Sequence, residues 1–492
     1  MVKKEKIFLT IIFVLGLLLR LLPGPDRWSW IYDQARDAYV IRSIISEKNL
    51  VLVGPQTDYP GLNHGPLSYY LLAPFYFLAH GDPNLPGLFM ISLNLSSILP
   101  LYLLTKKLFN RQVAYLSIFL FAISYAQIEY ARWIFNFSVA IPLLLWSYYF
   151  FIKDKIFAAS LFLGLAIQGE IFLLYLLPLY LISKFRKLAQ VLLGVALGLS
   201  PLILAEFKFN FIASRTFVTG FLGGHGKDYV DASYNLWRYL DHLGTVMKFT
   251  GAGLSYPMGL LALIILLVFI ALNYKNKLQL VLLLFFSHAI LFTFHFPDKV
   301  FLDFAVFLPL YVLIAYALFT LYKLKYKFLA ALILLGLIAG NVLTLRSNLA
   351  NKTLFDGYHF TQQAMFFSSK LEILDQVYSL VGEDEYSFSV LGTPYGVRTV
   401  WASVFEQYLR RHPEAKKPVW HGFAANGYPA DDFFSKSDAL KNKHILIIEQ
   451  NQDLISPYIR EEFLAEQNSN SQVVTEKELY GYKIQLREKI SN

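Results

Sequence analysis

The sequence predicts a mainly α protein: a polytopic bundle of about eleven membrane helices with interfacial helices, carrying an α/β domain at its C-terminal end. Three observations carry that expectation. The 492 residues are 56% hydrophobic and only 16% charged, and the mean hydropathy is positive, far from the balance of a soluble globular chain. Apolar runs of membrane length recur up to residue 346, with Lys and Arg gathered in short clusters between them. Beyond that point the membrane character stops, and strand-like stretches alternate with helical ones.

The first element is "MVKKEKIFLTIIFVLGLLLRLLPGP", a basic start followed by an apolar core near residues 6–23. It lacks a small-x-small cleavage site, so it reads as a retained first span with a cytoplasmic N-terminus. Further runs lie near 66–80, 85–105, 111–128, 134–152, 156–184, 188–204, 253–273, 277–295, 300–322 and 326–346. The basic clusters Lys3/Lys4/Lys6, Lys106/Lys107/Arg111, Lys153/Lys155, Lys184/Arg186/Lys187, Lys275/Lys277 and Lys323/Lys325/Lys327 fix the sidedness. All fall on one face if 66–80 does not cross and 156–184 is a helical hairpin. A run the length of 66–80 spans about 22 Å as a helix, short of the hydrocarbon core of about 30 Å. The hairpin tip, "IQGE" with Gln168 and Glu170, then lies at the floor of a water-filled cavity.

Residues 1–346 thus form a transmembrane domain with two outward loops, 24–84 and 205–252, and residues 347–492 an extracytoplasmic α/β domain. The second loop contains the glycine-rich "FLGGHGKDYVDASYNLW", compatible with a lid. In the C-terminal domain "EYSFSVL", "KHILIIEQ" and "GYKIQLRE" read as strands and "VWASVFEQYLRRH" as a helix. The net charge of +9 belongs to topological clusters rather than to a nucleic-acid footprint, and the absence of Cys excludes disulfides, thiolate metal sites and cysteine nucleophiles.

Chemistry-bearing residues collect in a few places. In "SWIYDQARDAYVIRSI" a helix puts Asp33, Arg36, Asp37 and Val40 on one face, while Ile31, Ala35, Ala38, Ile41 and Ile45 turn towards the membrane. Two readings are open: Asp33 caps the helix and pairs with Arg36, or it is a reactive carboxylate with positioning partners. In "DYPGLNHGPLSYYLLAP" the residues Pro60, Gly61, Gly65 and Pro66 force a turn that presents Asn63 and His64. Glu129, Arg132, Glu170 and Arg215 add charge beside or within apolar segments, where charge is costly and usually functional. Each has a plainer alternative: Glu170 as the polar tip of a hairpin, Arg132 as a snorkelling anchor. His288 within a span reads as a packing partner, and His295 and Asp303 as partners of Lys299.

The order of these motifs resembles the GT-C superfamily of polyprenyl-phosphate-sugar glycosyltransferases, nearest the protein-mannosyltransferase and lipid A aminoarabinose-transferase branch. The resemblance runs over residues 1–346, through the "D-x-x-R" helix, the turn at His64, "YLLTKKLFNRQVAYLSIFLFA", "EYARWIFNFSVAIPLLLWSYYF", "GLAIQGEIFLLYLLPLYL", "EFKFNF" and "FLDFAVFLPLYVLIAYAL". It implies a GT-C-type fold, Asp33 as the catalytic acid of the first outer loop, and Arg36 as its neighbouring arginine. His64 stands where relatives carry a phosphate-contacting Lys. Asn136 and Glu129 lie near the position of a second acid that relatives place after the arginine matched by Arg132.

The implied chemistry accounts for so sparse a set. A sugar on polyprenyl phosphate already has a good leaving group, so one base suffices to deprotonate an acceptor hydroxyl held in line with the anomeric carbon. This differs from the two carboxyl groups of glycoside hydrolases. The departing phosphate needs cationic partners, for which Arg132, His64 and Arg215 are candidates with Arg36, Asp37, Glu129 and Glu170 in supporting positions; a divalent metal is compatible with that role, with no ligands assigned. The implied partners are a lipid-linked sugar donor, a lipid, glycan or protein acceptor and membrane lipids, and no nucleic acid. Two other classes stay open: a lipid or glycan transporter, which would show charged or broken helices in mid-membrane and repeat symmetry, and a non-catalytic membrane scaffold.

Overall fold

The computed structural model describes residues 3–57, 59–222, 232–251, 256–289, 304–350, 363–437, 439–450 and 452–490. The chain divides into two compact units. One comprises Met1–Leu22, Leu50–Leu72 and Gly87–Ser347; the other comprises Pro23–Asn49, Ala73–Pro86 and Asn348–Asn492.

The first unit is helical. α1 (Lys3–Leu21), α5 (Ile98–Leu108), α6 (Arg111–Ile123), α7 (Tyr125–Arg132), α8 (Asn136–Ile152) and α9 (Ile156–Gly169) lead into a 3-10 turn (Ile171–Leu176) and α10 (Leu177–Ser183). α11 (Leu188–Gly198), α12 (Ser200–Lys208), α13 (Ile212–Leu222), α14 (Ala232–Gly251), α15 (Tyr256–Leu272), α16 (Leu278–Phe286) and α17 (Phe304–Lys323) follow, and α18 runs over Lys327–Ala350. Between α1 and α5 the chain forms α2 (Tyr32–Ser46), α3 (Leu67–Leu78) and α4 (Asn84–Ser96).

This is a multi-pass membrane protein. Among the described residues three helical stretches, Asn84–Leu108, Phe304–Lys323 and Lys327–Ser347, are long and apolar enough to cross a membrane; counting two bent pairs as single spans raises the number to five. About eleven spans were expected from hydropathy. Other expected runs appear among the described residues as shorter apolar helices, among them Leu67–Leu78, Asn136–Ile152, Ile156–Gly169 and Pro257–Leu272, and some runs are interrupted. The run 111–128 bends by 57° between α6 and α7 and the run 188–204 by 69° between α11 and α12, while the run 156–184 breaks at Glu170, at the tip of the expected hairpin. Residues 205–252, expected as an outer loop, are helical in their described parts apart from the turn at Phe209–Phe211, α14 alone covering twenty residues. Of the glycine-rich lid expected at 221–237, residues 223–231 lie outside the described residues, and the two ends belong to α13 and α14.

Backbone groups freed at a break inside a bundle must find other partners. At the α6–α7 break Ser124 accepts from the Gln127 amide and bonds to the Tyr311 hydroxyl at 2.7 Å, and Asn341 Oδ1 accepts from the Tyr125 amide at 2.7 Å. At the α11–α12 bend the Gln168 amide donates to the Gly198 carbonyl. α9 packs against α11 through Gly164, Gly194 and Gly198. A methyl group on Gly194 would stand 2.6 Å from the Phe157 carbonyl oxygen and one on Gly198 2.7 Å from that of Leu161, so only glycine permits the approach.

The second unit is built on a five-stranded sheet of order β2-β1-β3-β5-β4, with β1 (Tyr386–Leu391), β2 (Val419–Trp420), β3 (Lys443–Ile448), β4 (Ser471–Leu479) and β5 (Tyr482–Lys489). β1 runs parallel to β2 and β3, and β5 antiparallel to β3 and β4. β1, β3 and β5 coincide with the strand-like stretches. β2, two residues long, and β4, largely exposed, were not expected. α19 (Phe367–Val381), α20 (Thr399–Arg411) and α21 (Pro457–Asn470) complete the layer. Every residue of β1 is buried, as for a strand covered on both faces, and Phe388 packs on Trp401, Phe405, Trp420 and Phe434.

The loop segments of this unit are tied to the same core. The Trp30 indole donates to Ser403 Oγ on α20 at 2.9 Å, and Arg411 pairs with Asp26 at 2.9 Å and Asp82 at 2.7 Å. These bonds hold the start of α2 against α20.

Candidate functional site

The residues singled out from sequence fall into clusters that each belong to one unit. In the second unit α2 begins after Ile31 rather than with a capping Asp33; Gln34 Oε1 accepts from the Ile31 amide, which leaves the Asp33 carboxylate for other contacts. Asp33, in the first turn, is favourably placed near the helix N-terminus. Arg36 bridges both acids: Nη1 is 2.9 Å from Asp33 Oδ1, while Nε and Nη2 sit 2.9 and 2.8 Å from Asp37 Oδ1. The two carboxylates differ in access. The Asp37 side chain is 9% exposed and that of Asp33 39%, with Arg36 between at 19%. One guanidinium thus holds an internal carboxylate on two nitrogens and an open one on the third.

The ring of Tyr32 lies under the Arg36 guanidinium at 5.5 Å and meets Tyr428 edge-on at 6.0 Å. Partial burial raises the Tyr32 hydroxyl above its usual range, outweighing the nearby Arg36, so it stays a neutral donor. Ala35, Ala38 and Ile41, expected to face the membrane, are buried, and Ile45 is exposed.

In the first unit two motifs far apart in sequence meet. The turn "NHGP" docks on "IQGE": the Gly65 amide donates to the Gln168 carbonyl at 2.7 Å, and the Ile171 amide donates to His64 Nδ1 at 3.3 Å. A methyl group on Gly65 would lie 2.5 Å from Gln168 Cβ, which explains glycine there. Glu170 caps the turn that follows by accepting from the Phe172 amide at 3.1 Å, and its Oε1 lies 3.9 Å from His64 Nδ1. Because that nitrogen accepts from Ile171, any further contact by the imidazole falls to Nε2. Asn136 reaches the same place, donating to the Gly169 carbonyl at 2.5 Å. It therefore supports the backbone at a position where a second acid was sought.

Glu129 and Arg132 lie buried on α7, and Arg132 Nη1 donates to the Arg20 carbonyl at 2.8 Å. Sequence reasoning passed over Arg20. It is fully buried, donating through Nε to Asn94 Oδ1 and through Nη1 to the Gly16 and Ala122 carbonyls, each at 3.0 Å. The Ala122 carbonyl is one of those released by the α6–α7 break. The available signal was an arginine one turn from the end of an apolar span. Arg215 is exposed on α13, the helix whose Thr216 hydroxyl donates to the Pro60 carbonyl at 3.1 Å. His288 is buried and stacked on His242, with ring centroids 5.2 Å apart; His295, Lys299 and Asp303 lie outside the described residues. Among the described residues no group of three or more His, Asp or Glu side chains is placed to hold a metal ion.

The fold and these clusters define a multi-pass membrane protein with a carboxylate-rich helix in its sheet-containing unit. No family model matches the chain, and no curated protein matches it either. Among solved structures it is similar to ArnT from Cupriavidus metallidurans in the apo state, at 12% identity and a TM-score of 0.49 over 98% of each chain. The same protein bound to undecaprenyl phosphate gives the same identity and score over 99% of this chain and 98% of that one. The oligosaccharyltransferase AglB from Archaeoglobus fulgidus, in complex with an inhibitory peptide and a dolichol-phosphate, aligns at 13% identity and a TM-score of 0.43, over 82% of this chain and 63% of its own.

Proposed function

We propose that the protein is a GT-C-type inverting glycosyltransferase that moves a sugar from a polyprenyl-phosphate donor to a hydroxyl acceptor at the outer face of the membrane. The observation that carries this reading is the unequal pair on α2. Arg36 ties down the internal Asp37 and orients Asp33, which keeps an accessible carboxylate. In the proposed step the acceptor hydroxyl loses its proton to Asp33 as its oxygen attacks the anomeric carbon, and the bond to phosphate breaks from the opposite side. Polyprenyl phosphate leaves without needing a proton. Arg132, His64 and Arg215 are the proposed cationic and hydrogen-bonding partners of that phosphate, with Arg36, Asp37, Glu129 and Glu170 in positioning roles. Residues 1–346 are proposed as the catalytic domain, with outer loops 24–84 and 205–252 and a cytoplasmic N-terminus, and residues 347–492 as an extracytoplasmic domain that selects the acceptor.

The test is incubation of purified protein with a polyprenyl-phosphate sugar labelled in the sugar, together with envelope extract. Label should appear on a new acceptor with inverted anomeric configuration and stoichiometric release of polyprenyl phosphate. No covalent transfer from any donor of a panel of hexose and pentose lipids would reject the reading. One observation favours a second class: the bent spans at Ser124 and Leu199 are broken helices of the kind transporters use. Movement of intact labelled lipid across a vesicle bilayer without bond cleavage would favour transport instead.

A further inference from the structure

The far end of α2 carries a feature that the proposed transfer step does not use. A cavity of about 660 Å³ lies on the helix two turns beyond the Asp33 cluster, wholly within the second unit. Tyr39, Val40, Arg42 and Ser43 on α2 and Glu47 just past its end form one wall; Glu406 comes from α20, and Lys417 with Pro429, Ala430, Asp432 and Phe433 forms the other side. The volume falls within the range of small-molecule sites. Val40 follows Asp33 by seven residues, so the two share a helix face about 10 Å apart.

The floor is prearranged. Glu406 receives Arg42 on both oxygens, at 3.0 Å each, and accepts the Tyr39 hydroxyl at 3.2 Å. Burial, reinforced by Glu406, pushes the Tyr39 hydroxyl far above its usual range and keeps it protonated. Lys417 Nζ lies 4.1 Å over the Phe433 ring, which fixes a second cation at the edge. Glu47 and Asp432 bring further carboxylates, and both residues are exposed.

The charges interleave. Arg42 and Lys417 face Glu47, Glu406 and Asp432 within one hollow. A ligand of strong net charge of either sign meets repulsion as well as attraction there, whereas a neutral ligand with several hydroxyls finds both acceptors and donors at short intervals.

We propose that this cavity binds a neutral sugar of one or two rings, the recognised part of a glycan acceptor whose attacked hydroxyl extends along α2 towards Asp33. The proposal rests on the transferase reading for the acceptor's role, but sugar binding is measurable without transfer.

The experiment uses the full-length protein in lipid nanodiscs, with saturation-transfer NMR and titration calorimetry. The neutral probes are methyl α-mannopyranoside, methyl β-galactopyranoside, N-acetylglucosamine and maltose; glucose 6-phosphate and glucosamine serve as anionic and cationic comparators. At least one neutral probe should bind, and both charged comparators should bind more weakly. Glu47→Gln combined with Asp432→Asn, two exposed positions with little bearing on folding, should weaken that binding about tenfold. Ser43→Trp, filling the hollow, should abolish it in protein whose melting curve is unchanged. Asp33→Asn should bind the sugar like the wild type. Absence of binding by every neutral probe, tighter binding of a charged comparator, or undiminished binding by the Glu47/Asp432 double variant would each overturn the proposal. Transfer without sugar binding here would sink this site alone; sugar binding without transfer would sink the transferase reading alone.

Discussion

Arg20 and Arg36 are both arginines set among polar partners, and the contrast between their surroundings separates structure from chemistry. Arg20, inside the helical unit, has no exposure, and its donors go to an amide oxygen and two backbone carbonyls, one of them freed by the α6–α7 break. Arg36, on α2, spends its donors on two carboxylates, one of which stays open to solvent. A buried charge whose partners are backbone groups repairs a broken span. A partly exposed charge whose partners include an accessible carboxylate is what the proposed transfer step uses to orient its base. The docked pair "NHGP" and "IQGE" belongs with the first kind, since its hydrogen bonds run mainly to amides and carbonyls.

That distinction can be broken by substitution. The largest effect on stability is expected for Arg20→Met, which strands the Ala122 carbonyl and the Asn94 side chain in a buried site; a loss of about 3 kcal/mol should appear as a lowered melting temperature in detergent and reduced yield. Gly65→Ala should cost about 2 kcal/mol by driving a methyl group into Gln168, read in the same melting experiment.

A control comes from the sheet-containing unit. His444 is fully buried between Ser387 Oγ at 3.1 Å and Gln467 Oε1 at 2.8 Å, and burial lowers it to about 3. The unfolded chain binds a proton near the ordinary histidine value and the folded one does not, so stability falls as pH drops through the window from about 6.5 to about 3. Between pH 7 and pH 5 this group alone should cost about 2 kcal/mol, and His444→Gln should flatten that part of a melting-temperature profile. The smallest effect is expected for Arg42→Ala: its pair with Glu406 is partly exposed, so stability should change by about 1 kcal/mol or less. A large loss there would mean that exposed pairs on α2 are structural too, and would blur the contrast.

Much of the α2 site was legible because its signal is local. The i, i+3, i+4 spacing of Asp33, Arg36 and Asp37 fixes a shared face whatever surrounds it, and the Arg36–Asp33 pair is observed. What surrounds the apolar residues of α2 was not legible, and Ala35, Ala38 and Ile41 proved to be buried. The meeting of His64–Gly65 with Gln168–Glu170 is a contact across a hundred residues that no spacing encodes. The break at Ser124 carries no proline or glycine and its freed groups are satisfied by distant side chains such as Asn341, so it left no local signal; the one at Leu199, between Gly198 and Pro201, was readable as a helix stop followed by a helix start. Gly194 and Gly198 were readable as a close-packing motif, four residues apart in an apolar run. In the C-terminal unit β1 and β3 stood out as continuous apolar strands, whereas β4 is mostly exposed and polar and gave little periodic signal.

The most direct measurement compares Asp33→Asn with Asp37→Asn in the labelled-donor transfer assay, each protein first shown to melt like the wild type. Asp33→Asn should lower transfer by at least about a hundredfold, the scale of a lost general base. Asp37→Asn should retain far more activity, since in the proposed step Asp37 holds Arg36 in place and does not itself take the proton. Wild-type rates from the Asp33→Asn protein would contradict the assignment of the open carboxylate as the base.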